Sequence, residues 1–312
     1  MKLSEVTGQY VTYKQSMGMR FCTEERTLKS FCRAMGDIVI AEVDAARALA
    51  FIAGAGPVTR FWHRKREVLV GFYRFAIARH YCAAFPLPTV VPKPPQAFIP
   101  YIYSREELRR LLDATALCEH PRSKIQTHTY RALIVLLYGA GLRIGEALAL
   151  TLNDVNLSAG VLQIRDSKFY KTRLVPIGPN LVHVLTTYAS QRRKDHSAQS
   201  DTPFFISRTG NGITRRAADG FFSRLRSQAS VQRHDGGRFQ PRLHDLRHSF
   251  AVHRLISWYR EGADVQRLLP QLATYLGHVH IAATQRYLTM TPELLREASK
   301  RFERYAWEGP HE

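Results

Sequence analysis

The sequence predicts a mainly α-helical chain with a small β-sheet, divided into two domains. Three observations carry that expectation. Apolar residues recur at helical spacing through most of residues 1–85 and again from residue 104 towards the C-terminus. Only a few short runs fit strands, chiefly Val161–Ile164 and 173–177, which flank residues 166–171 as the arms of a hairpin flank its turn. Between the two helical regions six prolines (Pro86, Pro88, Pro92, Pro94, Pro95 and Pro100) fall within residues 86–100, where no helical pattern is sustained. Such a stretch is an extended linker and marks a domain boundary. The expected division is a helical domain over 1–85, a Pro-rich linker over 86–103 and a second domain over 104–312.

In the first domain, residues 24–35 and 44–52 carry apolar side chains near helical spacing. Gly54-Ala55-Gly56-Pro57 marks a turn, and a longer helix follows over 61–81. Along it Arg60, Arg64, Lys65, Arg66, Arg74 and Arg79 are interleaved with Phe61, Trp62, Phe72, Tyr73 and Phe75. Basic side chains among aromatics suit a helix packed on one side with a phosphate backbone along the other. A solvated amphipathic helix fits this stretch nearly as well.

The second domain opens on Ser104-Arg105-Glu106-Glu107, a capping box ahead of Leu108, Leu111 and Leu112. An apolar helix over 130–138 leads into Gly139-Ala140-Gly141-Leu142-Arg143-Ile144-Gly145-Glu146. After the hairpin come a helix over 180–193, a polar loop over 195–202, a short strand over 204–207 and a basic amphipathic helix over 215–231 that begins Arg215-Arg216. Gly236-Gly237 and Pro241 punctuate the chain. Thereafter it reads as helical almost to its end, with interruptions near Gly262, Pro270 and Gly277.

The stretch 241–250, Pro-Arg-Leu-His-Asp-Leu-Arg-His-Ser-Phe, looks like the beginning of a buried helix. At helical spacing His244, Arg247 and His248 share one face, while Leu246, Phe250, Val252, Leu255, Ile256 and Tyr259 occupy much of the rest. Its first turn thus carries an arginine and two histidines inward beside a single carboxylate, Asp245. A buried guanidinium needs an anion, and phosphate suits the fork of its N–H groups. For so short a stretch alone, a surface helix start with its histidines facing water fits better than the buried one.

Charge points the same way. The net charge is +19, and residues 1–100 alone hold 14 Lys+Arg against 7 Asp+Glu, so both domains are basic. Nucleic acid is the leading partner for such a surface, gripped from two sides, with an anionic membrane second. No apolar run approaches the roughly 18 residues that a membrane span needs. Residues 1–5 lead into no signal-peptide run, and Cys22, Cys32, Cys82 and Cys118 form no CxxC or metal spacing, so they read as reduced cytosolic thiols.

Ala140-Gly141-Leu142-Arg143-Ile144-Gly145-Glu146, a lysine in a hairpin, His244-x-x-Arg247, Leu276-Gly277-His278 and Tyr287 nine residues on together resemble the tyrosine recombinase (phage integrase) family, of Xer-like or transposon type. The motifs span about residues 104–290. The resemblance implies a helical core-binding domain and an α/β catalytic domain that clamp double-stranded DNA. It implies that Tyr287 attacks the scissile phosphodiester, becomes joined to the 3′-phosphate and frees a 5′-hydroxyl. Arg143 and Arg247 clamp the non-bridging oxygens, His244 is a general base or a phosphate donor, and His278 is a second donor. Lys168 protonates the leaving 5′-oxygen, with Lys171 close enough to be the acid instead. Glu146 orients Arg143 or a histidine, and His248 buttresses its helix. Arg60, Arg64, Lys65, Arg66, Arg74, Lys171, Arg173, Arg215 and Arg216 are the expected DNA contacts. No cofactor, metal or ATP is implied, because the phosphotyrosyl bond retains the energy needed for rejoining. The expected partners are DNA and further protomers: a monomer or weak oligomer when free, a tetramer on paired sites, and accessory recombinases. The expected location is cytoplasmic, with the nucleoid. The segment 292–307 is expected to dock on a neighbouring protomer or on its own domain.

Three other readings stay open on the sequence. His244 and His248 have the spacing of a zinc-binding pair, with no third ligand evident. A protein of the same fold without the reaction would bind DNA only. A type IB topoisomerase would share the chemistry but relax DNA without a partner site. Tyr275 is a rival nucleophile outside the family spacing.

Overall fold

The computed structural model describes residues 1–307 apart from 96–97, 121, 166–171, 197–198 and 238, with 195 and 304–306 described in backbone only. The chain forms two compact units, Met1–Phe98 and Ile99–Glu312.

The first unit is four helices, α1 (Leu3–Ser16), α2 (Cys22–Met35), α3 (Ala45–Ala53) and α4 (Arg60–Ala78). Asp44 caps α3 by accepting from the Arg47 amide at 2.8 Å. Thr59 caps α4 by accepting from the Trp62 amide at 3.3 Å. Such caps contribute about 1 kcal/mol each. Full burial of a large apolar side chain contributes roughly 1.5–3 kcal/mol, so the buried stripe of α4 (Trp62, Leu69, Phe72, Tyr73 and Ala76) dominates its stability. That stripe packs on Leu3, Val6 and Tyr10 of α1 and Leu28 and Phe31 of α2. Helix α4 stops short of residue 81 because His80 takes a left-handed conformation (φ 58°) and the Tyr81 amide turns back to the Ala76 carbonyl at 2.9 Å.

The second unit is built on α6 (Thr127–Gly139), which is apolar around most of its circumference and packs between α5 (Arg105–Leu117), α8 (Pro179–Asp195) and α10 (Asp245–Arg260). Ser104 and Glu107 form the predicted capping box at the start of α5. After the short α7 (Ile144–Ala149) comes an antiparallel meander of β1 (Val155–Asn156), β2 (Val161–Ile164) and β3 (Arg173–Pro176). Ile164 pairs with Arg173 and Val161 with Pro176, which sets the hairpin register. The turn between β2 and β3, with Lys168 and Lys171, lies outside the described residues. Helix α9 (Arg215–Gln228) precedes α10. Beyond α10, α11 (Val265–Leu276), the single-turn α12 (Ala282–Gln285), a 3₁₀ turn over Arg286–Thr289 and α13 (Pro292–Trp307) complete the unit.

Three local expectations are corrected, and one strand was not expected. The two-residue β1 is too short to leave a pattern in the sequence. Residues 204–207 form no strand: Pro203 and Ile206 make only isolated antiparallel bridges to Thr151 and Gly212, while the Tyr188 hydroxyl donates to Phe204 O and accepts from the Ile206 amide. Helix α9 ends at Gln228, where Ser230 turns left-handed (φ 52°) and the Val231 amide reaches the Arg226 carbonyl at 3.0 Å. Pro270 lies inside α11 without ending it. Pro270 has no amide to give the Gln266 carbonyl, and both residues lie on the exposed side of the helix.

Candidate active site

The site forms around the C-terminal end of α11. Gly277 caps that helix in the left-handed conformation (φ 67°, ψ 43°), which turns the last carbonyls outward. Three successive carbonyls then receive three arginines from three other elements. Tyr275 O accepts from Arg173 Nε at 3.0 Å. Leu276 O accepts from Arg247 Nη2 at 2.6 Å. Gly277 O accepts from Arg143 Nη2 at 2.9 Å. A helix C-terminus carries partial negative charge, so cations gather there at low cost.

Arg247 is only 2% exposed, and its Nη1 donates to Gly141 O at 2.7 Å. Within the protein alone, two carbonyls accept from this guanidinium. The neighbouring carboxylate, Asp245, is taken by Arg242 at 3.0 Å. Burial, with Arg143 beside it, pushes the Arg247 guanidinium down to about 10, still a cation at neutral pH. Gly141 has φ 58°, and a Cβ there would lie 2.4 Å from the Phe250 ring, so glycine is required where α10 crosses this loop.

Glu146 ties the arginines together. Its Oε1 accepts from Arg143 Nη1 at 2.7 Å, and its Oε2 pairs with Arg173 Nη2 at 2.8 Å. Burial pushes this carboxyl up, but Arg173 and then Arg143 outweigh it and hold the group down to about 2. Arg173, expected on the DNA, is therefore turned inward, with its side chain 12% exposed and all of its nitrogens engaged.

Tyr287 sits in the 3₁₀ turn after α12 and is 3% exposed. Its hydroxyl lies 3.1 Å from His248 Nδ1. Burial raises the phenol above its ordinary range, against the lowering fields of Arg247, Arg286 and Arg143. The His278 ring stacks on the Tyr287 ring at 6.1 Å, and His278 Nδ1 bonds the buried Thr284 hydroxyl at 2.7 Å. His244 and His248 meet edge to face at 5.0 Å. Burial first, then neighbouring imidazole or guanidinium groups, push His244, His248 and His278 each down to about 4, so all three are neutral at pH 7. Tyr275 is directed elsewhere: it stacks on Phe250 and donates its hydroxyl to Pro176 O at 3.1 Å. Among the described residues no group of three or more His, Cys, Asp or Glu side chains gathers in a way that could hold a metal ion.

The structure thus brings Arg143, Arg247, Glu146, His244, His278 and Tyr287 into one neighbourhood, while Lys168 lies outside the described residues. His248, expected to buttress its helix, also bonds the Tyr287 hydroxyl. The available signal was its i, i+4 relation to His244 on the Arg247 face. Of the expected DNA contacts, Arg60, Arg64, Arg74, Arg215 and Arg216 are exposed. Arg215 lines a groove of about 360 Å³ with Arg226, Arg242 and His244, and its pairing with Asp219 is solvent-exposed and weak. Arg64 pairs with Glu24 at 3.3 Å. Lys65 donates to Phe51 O at 2.7 Å, and Arg66 to Pro88 O at 3.3 Å, so both serve their own unit. No helix among the described residues is long and apolar enough to cross a membrane.

The phage integrase family matches residues 103–293. "Putative integrase/recombinase y4rB" of Sinorhizobium fredii is 37% identical over 310 residues, which cover 97% of this chain and 98% of that protein. Tyrosine recombinase XerC of Oceanobacillus iheyensis is 31% identical over 239 residues, 75% of this chain and 72% of the relative. Among solved structures, the Tn1549 transposon integrase in complex with transposon right end DNA is similar in fold, with a TM-score of 0.69 at 17% identity over 98% of this chain and 100% of that one. XerH site-specific recombinase bound to its palindromic difH substrate has a TM-score of 0.65 at 20% identity, covering 92% of this chain and 79% of that one. With a family match over more than half of its length and a relative aligned nearly end to end, the chain belongs to the phage integrase family and is a tyrosine-type site-specific recombinase.

Proposed function

We propose that Tyr287 cuts one DNA strand by attacking the scissile phosphorus, forming a 3′-phosphotyrosyl bond and releasing a 5′-hydroxyl, and that rejoining to a partner strand reverses the step. The observation that carries this reading is the meeting of Arg143 and Arg247 on adjacent carbonyls, Gly277 O and Leu276 O, with the Tyr287 hydroxyl beside Arg247. Two guanidinium forks are suited to the non-bridging oxygens, where charge builds in the transition state. His244 and His278, both neutral, donate to the phosphate. Lys168, or Lys171 three residues on, supplies the proton to the leaving 5′-oxygen. Glu146 holds Arg143 in orientation. The nucleophile and the arginines belong to one chain, which supports attack by each protomer on its own bound half-site.

The partner is double-stranded DNA, held by the exposed arginines of both units: Arg60 and Arg74 on α4, Arg215 and Arg216 at the start of α9. Residues 1–85 grip the duplex and 104–312 carry the chemistry. Four protomers act on two paired sites within the nucleoid, and α13 contributes to their contact: it buries Leu294 but leaves Leu295 and Phe302 exposed. Synapsis of this kind separates the reaction from topoisomerase-style relaxation by a single protomer.

The test is a nicked duplex whose site has been selected from a random-sequence library by gel shift. Wild-type protein forms an adduct that survives SDS. Tyr287→Phe loses the adduct while keeping its gel shift. An adduct with Tyr287→Phe removes Tyr287 as the nucleophile.

A further inference from the structure

We propose that His248 is the proton acceptor for the Tyr287 phenol during strand cleavage, and the donor that returns the proton during rejoining. This rests on the reading of Tyr287 as the nucleophile.

A phenol is a poor nucleophile until its proton leaves, and Tyr287 is buried away from bulk water. Its proton therefore needs an acceptor within the protein. His248 Nδ1 stands 3.1 Å from the hydroxyl, within hydrogen-bond reach. With the proton of the neutral imidazole on Nε2, Nδ1 presents its lone pair to the phenol. The other histidines are engaged differently. His278 gives Nδ1 to Thr284 and lays its ring against that of Tyr287, so it fixes the ring plane. His244 meets the edge or face of His248. His248 lies in the first turns of α10 between Arg247 and Ser249, both buried.

The charges around His248 explain how one imidazole serves both directions. Arg247 and Arg242 face it from α10 and its approach, Arg286 from the 3₁₀ turn and His278 from the loop after α11. In the free protein burial and these cations keep it neutral. A phosphate bound between Arg143 and Arg247 brings negative charge into the same field and offsets it. The imidazole becomes a stronger base when the substrate is in place. In cleavage the Tyr287 O–P bond forms as the P–O5′ bond breaks, and the phenolic proton passes to His248 Nδ1. The 5′-oxygen receives its own proton from the lysine acid. In rejoining the 5′-hydroxyl attacks and gives its proton back to the lysine as the P–O5′ bond forms, the Tyr287 O–P bond breaks, and His248 returns its proton to the phenolate.

Single-turnover cleavage of the nicked duplex tests this with His248→Gln and His248→Ala, each checked for thermal unfolding and gel shift, beside Tyr287→Phe. His248→Gln is expected to cleave about 10²–10⁴-fold more slowly with little change in DNA binding. The wild-type rate levels off as pH rises, whereas in both variants the logarithm of the rate keeps climbing by about one per pH unit, because hydroxide must now remove the proton. Added imidazole speeds His248→Ala and leaves the wild type unchanged. A His248→Gln rate near that of the wild type overturns the proposal. So does a loss of rate with the wild-type pH profile and no imidazole rescue, which would assign His248 a packing role. An adduct formed by Tyr287→Phe instead overturns the nucleophile reading beneath it, so the two failures are distinguishable.

Discussion

Arg247 shows how little of a residue's role lies in its charge alone. A lysine there would keep the positive charge but not reach Gly141 O and Leu276 O together, which the fork of the guanidinium does. Arg247→Lys is expected to lower single-turnover cleavage by about 10²-fold or more, with a smaller effect on the gel shift. Cleavage at the wild-type rate would remove Arg247 from the phosphate clamp. Gly277 is the second such residue. A side chain in its left-handed conformation costs about 1–2 kcal/mol. In addition a Cβ would sit 2.7 Å from Arg173 Nη1 and 2.9 Å from its Cζ. Gly277→Ala is therefore expected to lower the melting temperature by about 2–8 °C. It should also weaken cleavage, because the carbonyl that holds Arg143 shifts with it. A melting curve and an adduct assay on one preparation check both.

At the scale of the element, the C-terminus of α11 gathers cations and α7 supplies the carboxylate that links them. The Glu146 carboxyl stands near 2 in the folded protein, below the ordinary carboxylate range. Its stabilisation is thus complete above the range where free carboxylates titrate and disappears as pH falls towards about 2. The three histidines act over a higher window. Each is held neutral down to about 4, so between about 4 and the ordinary imidazole range the unfolded chain binds more protons, and stability rises with pH across that interval. Denaturant melts at a series of pH values are expected to show acid weakening that begins above the carboxylate range. The stability difference between wild type and Glu146→Gln should persist through that interval and shrink only at lower pH. A difference that stays constant down to pH 2 (about the folded Glu146 value) contradicts the ion-pair account.

For the whole molecule, a net charge of +19 makes DNA binding strongly dependent on salt. It also couples that binding to protons. A phosphate entering beside Arg143 and Arg247 raises the proton affinity of His244, His248 and His278, whose affinity those cations depress. DNA binding is therefore expected to take up protons between about pH 4 and 6 and few at pH 8, measured by calorimetry in buffers of different ionisation enthalpy. Equal heats across buffers at the lower pH would leave the histidines away from the phosphate. Leu295→Ser with Phe302→Ser should reduce the assembly of protomers on paired sites without altering the melting curve, since both side chains are exposed. Unchanged assembly would take α13 out of the contact.

The chain by itself determined the helical character, the Pro-rich break, the capping box at Ser104, the two arms of the hairpin and the order of Arg143, His244, Arg247, His278 and Tyr287. These are matters of residue type and local spacing, and the forces behind them act within a turn or two of chain. Tertiary structure alone decided that Arg173 turns inward to Glu146, that Phe204 and Ile206 bond to a tyrosine hydroxyl, and that His248 meets Tyr287. Each depends on contacts between distant stretches: Arg247 reaches a carbonyl 106 residues away and Arg143 one 134 residues away. A hydrogen bond between side chains so separated exists only once packed helices hold both ends in place, so no local pattern encodes it.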